Sequence, residues 1–159
     1  RDMREATGEA EQWRQRYNEL KADLDAHPEK REQPQWYREI SVAYRRLNWY
    51  EGVRKRFEFR KTHPRVPFEI HVLRIGDMAF ATNPFEYYLD FGMRIKGRSR
   101  ATQTFLVQLA GVGSYVPTAR SVAGGSYGSV PASTPIGTAG GRELVEKTLQ
   151  LIDQLWQKT

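Results

Sequence analysis

Residues 68–82, Phe-Glu-Ile-His-Val-Leu-Arg-Ile-Gly-Asp-Met-Ala-Phe-Ala-Thr, change the texture of the chain and decide its fold class. Phe68, Ile70, Val72 and Arg74 alternate with Glu69, His71 and Leu73, the two-residue period of a strand with two different faces. Gly76-Asp77 supplies a tight turn and Met78–Thr82 returns, so the stretch predicts a β-hairpin. Upstream the period is helical. Trp13, Tyr17, Leu20 and Leu24 recur at a spacing of three to four over residues 4–26, and His27-Pro28 stops the run. Pro34 opens a second helix whose stripe passes through Trp36/Tyr37, Ile40, Tyr44 and Leu47, and the short link predicts an antiparallel pair. Downstream, Asn83-Pro84-x-Glu86 predicts a helix running to about Lys96, and residues 103–110 a short buried strand. Residues 111–141 are rich in Gly, Ser and Pro. A closing helix over 142–157 presents Leu144/Val145, Leu149, Leu151/Ile152 and Leu155/Trp156 as a packing face. The expected class is mixed α and β (α+β): a charged helical pair over residues 1–62, then strands and helices over 63–159.

Composition supports that division. Of the 25 Lys and Arg, 15 fall within residues 1–62, together with 12 of the 19 Asp and Glu. The first part therefore reads as a charge-laced surface element and the second as the denser core. At 159 residues and 39% hydrophobic content the chain is one domain's worth, with a formal net charge of +6. The lack of cysteine excludes disulfides and thiolate metal ligands. No apolar run reaches the roughly 18 residues of a membrane span, so no transmembrane segment is expected. Arg1-Asp2-Met3-Arg4 has no signal-peptide apolar region, and an arginine at position 1 reads as a chain cut from something longer.

Several motifs are weaker than they look. The clusters Arg45-Arg46, Arg54-Lys55-Arg56 and Arg60-Lys61 lie among aromatics, but Glu39, Glu51 and Glu58 are interleaved with them. That dilutes a phosphate-binding field, so a solvated helix face is expected and no nucleic-acid partner. Gly124-Gly125-Ser126-Tyr127-Gly128 spells the G-x-S-x-G elbow, which needs a strand before the serine, a helix after it and a histidine downstream. Pro131 and Pro135 follow instead, and His27, His63 and His71 all lie upstream. The stretch also lacks the Lys-Ser/Thr of a Walker loop. The three histidines show no metal-ligand spacing. Glu86 admits two readings: the third helical position of a capping box with Asn83 as cap, or a carboxylate held at a strand-to-helix junction at the mouth of a cleft. Tyr115, after the strand at 103–110 and a Gly-Val-Gly-Ser turn, occupies another such junction, where packing is the ordinary role.

Taken in order, Ile75-Gly76-Asp77, Pro84-Phe85-Glu86, Gly92 and Arg94, Gly113-Ser114-Tyr115-Val116-Pro117-Thr118, Tyr127 and Gly140-Gly141-x-Glu143-Leu144-Val145 form a series of anchors. From Ile75 to Trp156 the chain resembles the neutral/alkaline (non-lysosomal) ceramidase family, in the part of the catalytic domain that follows the metal-binding histidines. The resemblance implies a zinc ion bound by two histidines, with Glu86 as the glutamate ligand and Tyr115 as the tyrosine ligand. It implies that Tyr127 stabilises the substrate's amide oxygen. Phe85 replaces the family's usual glycine, Arg120 lies one residue late, and the histidine motifs would lie upstream of Arg1. The chain is thus expected to be a fragment of a zinc-dependent amidase that hydrolyses an N-acyl amide such as ceramide, inactive alone and binding zinc weakly or not at all by itself. The implied partners are the upstream half of the same catalytic domain and a lipid-like substrate, in a secreted or periplasmic setting. The alternative is a non-catalytic binding or structural module with the tyrosines as packing. Convergence of Glu86, Tyr115 and Tyr127 on one cleft separates the two.

Overall fold

The computed structural model describes residues 3–157 and divides into two compact units, Arg1–Arg65 and Val66–Thr159. In the first, helix α1 (Met3–Ala26) and helix α2 (Tyr37–Thr62) are joined by a 3-10 turn at Pro28–Glu32. α1 is built from Ala, Glu, Gln, Arg, Leu and Lys, which lose little side-chain freedom in a helix. It ends where Pro28 cannot continue the ladder, and the His27 amide closes on the Asp23 carbonyl at 2.9 Å. The small residues Ala6, Ala10 and Ala43 are buried along with Leu24, so the helices approach closely over a thin apolar seam. The Tyr17 and Tyr44 rings meet at 5.5 Å, and ion pairs of Arg14 with Glu51 and Arg16 with Glu39 cross between the helices. Phe57 and Phe59, late in α2, stay exposed. Among the described residues no helix is long and apolar enough to cross a membrane.

The second unit is mixed α+β. Strand β1 (Val72–Ile75) pairs antiparallel with β2 (Met78–Thr82) across the Gly76-Asp77 turn, where Gly76 takes φ of +59°. Helix α3 (Leu89–Arg98) then carries the chain over to β4 (Gln103–Val107), which pairs parallel with β2 to give a three-stranded sheet in the order β1-β2-β4. Two-residue strands β3 (Glu86–Tyr87) and β5 (Tyr115–Val116) form a separate parallel ribbon, and helix α4 (Ala119–Ala123) and helix α5 (Thr138–Gln157) complete the unit. Ala79 and Ala81 on β2 are buried, and these small side chains allow the helical layer of α3 and α5 to come close. Phe91 and Ile95 of α3 and Leu144, Val145 and Ile152 of α5 fill that layer. Arg74 stands on the same side of β1, where it caps the far end of α5: its guanidinium donates to the Leu155 carbonyl at 2.8 Å and lies over the Trp156 ring.

The opposite face of the sheet is also apolar, and most of its side chains are exposed. Leu73 and Ile75 of β1 lie beside Phe80 and Met78 of β2, and Phe80 stacks on Phe105 of β4 at 4.7 Å. Leu73, Ile75, Phe105 and Val107 are all 40% exposed or more.

Two expectations are corrected. The helix predicted to open at Asn83 begins at Leu89, after a cap at Tyr88, so Asn83 and Glu86 are not a capping box. Phe85 and Tyr87 are both buried with Glu86 exposed between them, and that alternation holds the segment extended. The Asn83 side chain instead accepts the Phe85 amide at 2.9 Å, a local turn of its own. The strand predicted to be buried over residues 103–110 spans Gln103–Val107 and leaves Phe105 and Val107 exposed, and the Gly/Ser/Pro-rich stretch after it holds β5, α4 and a 3-10 turn at Tyr127–Ser129.

Candidate functional site

The ribbon β3–β5 places the residues singled out above. It is parallel, with Glu86 opposite Tyr115 and Tyr87 opposite Val116. Tyr87 and Val116 turn into the core, which leaves Glu86 and Tyr115 together on the outer side. Main-chain bonds fix the register: the Glu86 amide donates to the Ser114 carbonyl at 3.2 Å and the Tyr88 amide to the Val116 carbonyl at 3.4 Å. Gly113 makes the approach of the two segments possible. A Cβ there would sit 1.9 Å from the Pro84 carbonyl oxygen, a distance no side chain tolerates. Thr134 closes the other side, its hydroxyl bonding the Tyr115 carbonyl and, at 2.8 Å, the Ile136 carbonyl.

Electrostatics couple the pair. A hydrogen bond to the Glu86 carboxylate, reinforced by its charge, holds the Tyr115 phenol above its ordinary pKa, with burial and the phenols of Tyr127 and Tyr88 acting in the same direction. The Tyr127 ring meets the Tyr115 ring edge-to-face at 5.7 Å and 84°, and Tyr127 itself is 64% exposed. Glu86, Tyr115 and Tyr127 thus stand together: one carboxylate and two phenols, all acceptors or donors through oxygen. His27, His63 and His71 are exposed. Among the described residues no group of three His, Cys, Asp or Glu is placed to hold a metal ion.

The G-x-S-x-G stretch has none of the elbow's geometry. Ser126 follows α4, whose end is marked by Gly124, and precedes the 3-10 turn. Its hydroxyl is bonded to that of Tyr88. Tyr88 is the residue that sequence reasoning missed. Burial pushes its phenol up, but hydrogen bonds from Ser126, Ser129, Ser121 and the Gly128 backbone outweigh this and hold it below the ordinary value. The signal was present in the spacing: in an extended segment, residues two apart share a side, so Tyr88 follows Glu86. Two surface grooves, one along α1 and α2 beside Trp13 and Val42 and one along α5 beside Leu149 and Gln150, contain none of these residues.

Compared with protein-family profiles, with curated proteins and with solved structures, the chain gives no match in any of the three.

Proposed function

We propose that residues 66–159 supply the carboxylate-and-phenol side of a zinc amidase site acting on an N-acyl amide such as ceramide, as the ceramidase resemblance implies. The observation that supports this most directly is the register of the ribbon, with Glu86 opposite Tyr115 and the Tyr127 ring against that of Tyr115. Glu86 and Tyr115 are hard oxygen donors of the kind zinc accepts, and the register of the ribbon sets them side by side on its outer side. Two oxygens are half a ligand set. The two histidines would come from a polypeptide segment outside residues 1–159, which makes that segment the chain's partner. Bound zinc supplies a water of pKa about 7 for attack on an amide carbonyl. Glu86 and Tyr115 would hold the ion through their side-chain oxygens, and binding would weaken as pH falls because such ligands bind in their deprotonated form. Tyr127 donates its hydroxyl hydrogen to the amide oxygen as negative charge grows there.

The test is zinc content and N-acyl amide hydrolysis in the full encoded protein. Tyr115→Phe is expected to lower zinc affinity by about 10–100-fold, and hydrolysis with it. Tyr127→Phe is expected to lower turnover by about 10²–10³ while zinc stays bound. Undiminished activity in both variants overturns the reading, as does tight stoichiometric zinc on residues 1–159 alone.

A further inference from the structure

The serines on either side of Tyr127 share a tyrosine partner. Ser126 and Ser129 bracket Tyr127-Gly128, and the Ser129 amide closes the turn on the Ser126 carbonyl at 2.9 Å. Both serine hydroxyls reach the Tyr88 hydroxyl, Ser126 in a short bond and Ser129 at 3.3 Å. Ser129 Oγ also lies 2.8 Å from Ser121 Oγ, which accepts the Thr118 amide at 3.0 Å in the capping box of α4. A chain of hydroxyls therefore runs from Tyr88, beside β3, through both ends of the turn to the start of α4. Gly128 is buried beneath it. A Cβ there would lie 2.6 Å from Tyr115 Cδ1 and 3.0 Å from the Tyr88 hydroxyl, so the turn rests on both tyrosines at once.

We infer that Tyr88 is a positioning residue: its hydroxyl, through Ser126 and Ser129, fixes the turn that sets the Tyr127 ring against Tyr115. As a statement about catalysis this rests on the function proposed above. As a statement about geometry it does not. Tyr127 is largely exposed, and an exposed ring keeps one orientation when the backbone under it is held. Tyr88 meets that need with a short, two-ended tether to the element that also carries Glu86. Its own hydroxyl is engaged by the serines, which assigns it to holding the turn.

The experiment uses residues 1–159 with isotope-labelled tyrosine and isoleucine, read by NMR. The ring of Tyr115 shifts the resonances of Tyr127 because the two meet edge-to-face. In Tyr88→Phe those resonances are expected to move more than halfway to free-tyrosine values, with the Ile95 and Ile152 methyls of the core unmoved. Ser126→Ala with Ser129→Ala is expected to reproduce the change with Tyr88 intact, which a general loss of stability would not do. Unchanged Tyr127 resonances in both variants overturn the inference. In the full encoded protein, Tyr88→Phe is expected to lower turnover on the order of ten- to a hundredfold with zinc content unchanged, the usual cost of a misplaced catalytic group. Displaced Tyr127 resonances alongside a wild-type protein that hydrolyses no N-acyl amide would leave the tether standing and refute the amidase reading.

Discussion

Tyr87 and Tyr88 are neighbours with opposite surroundings. Tyr87 is 5% exposed and burial pushes its phenol up to about 12, whereas the serine hydroxyls hold Tyr88 below its ordinary value. The consequence for Tyr87 is a pH dependence of defined sign. An unfolded tyrosine titrates near 10, so a phenol raised in the folded chain favours folding fully below about pH 10, and that contribution is lost as pH climbs toward 12. Tyr87→Phe keeps the ring and removes the proton. Between pH 9 and pH 11.5 the wild type is expected to lose on the order of 2 kcal/mol more stability than the variant, measured as urea midpoints; equal losses would show that Tyr87 does not control the alkaline limb. At this scale the sequence named Glu86, Tyr115 and Tyr127 through a family resemblance, and the structure brings the three together. Tyr88 and its serines were missed for a physical reason. Asn83-Pro84-x-Glu86 has the chemistry of a helix start, and in a helix Glu86 and Tyr88 point away from each other. Burial of Phe85 and Tyr87 overrode that local preference.

Between elements, the close contact of α5 with the layer beneath it depends on one position. A Cβ on Gly141 would lie 2.4 Å from Phe91 Cζ and 2.8 Å from Val116 Cγ1, both in the buried core. Two effects compete in Gly141→Ala. Helix propensity favours alanine by about 0.5–1 kcal/mol, while overpacking a filled core costs about 1–3 kcal/mol. Packing is expected to win, with a net loss on the order of 1 kcal/mol in chemical denaturation. Gly97, in α3 with open space around it, is the contrast: Gly97→Ala is expected to gain about 0.5–1 kcal/mol. A neutral or stabilising Gly141→Ala would mean that α5 shifts freely on its bed. The hairpin was legible from its Gly76-Asp77 turn set between two runs of strand-forming residues, and α5 because its 3.6 period is carried by apolar residues on one side. The short ribbon was not legible, since strands of two residues have no period and are made by pairing across a long sequence separation.

For the whole molecule, the sequence predicted a helical pair followed by strands and helices, and that is the class observed. What alternation could not reveal is which face of the hairpin is covered, because both faces are apolar: Val72, Ala79 and Ala81 on one, Leu73, Ile75 and Phe80 on the other. The helices took the side with the smaller side chains. The side left open carries Leu73, Ile75, Met78, Phe105 and Val107 in exposed positions, with a formal net charge of +6 on the chain as a whole. In solution those two properties oppose each other. Mutual repulsion keeps molecules apart at low ionic strength, and salt shortens its reach to about 10 Å at 0.1 M, leaving the sticky face to act. The protein is therefore expected to be better dispersed in dilute buffer than in salt, with light scattering rising as sodium chloride is added. Phe105→Lys, which places a charge on the open face, is expected to flatten that rise, and a salt response identical to wild type would mean that the face is not what makes the molecules cohere.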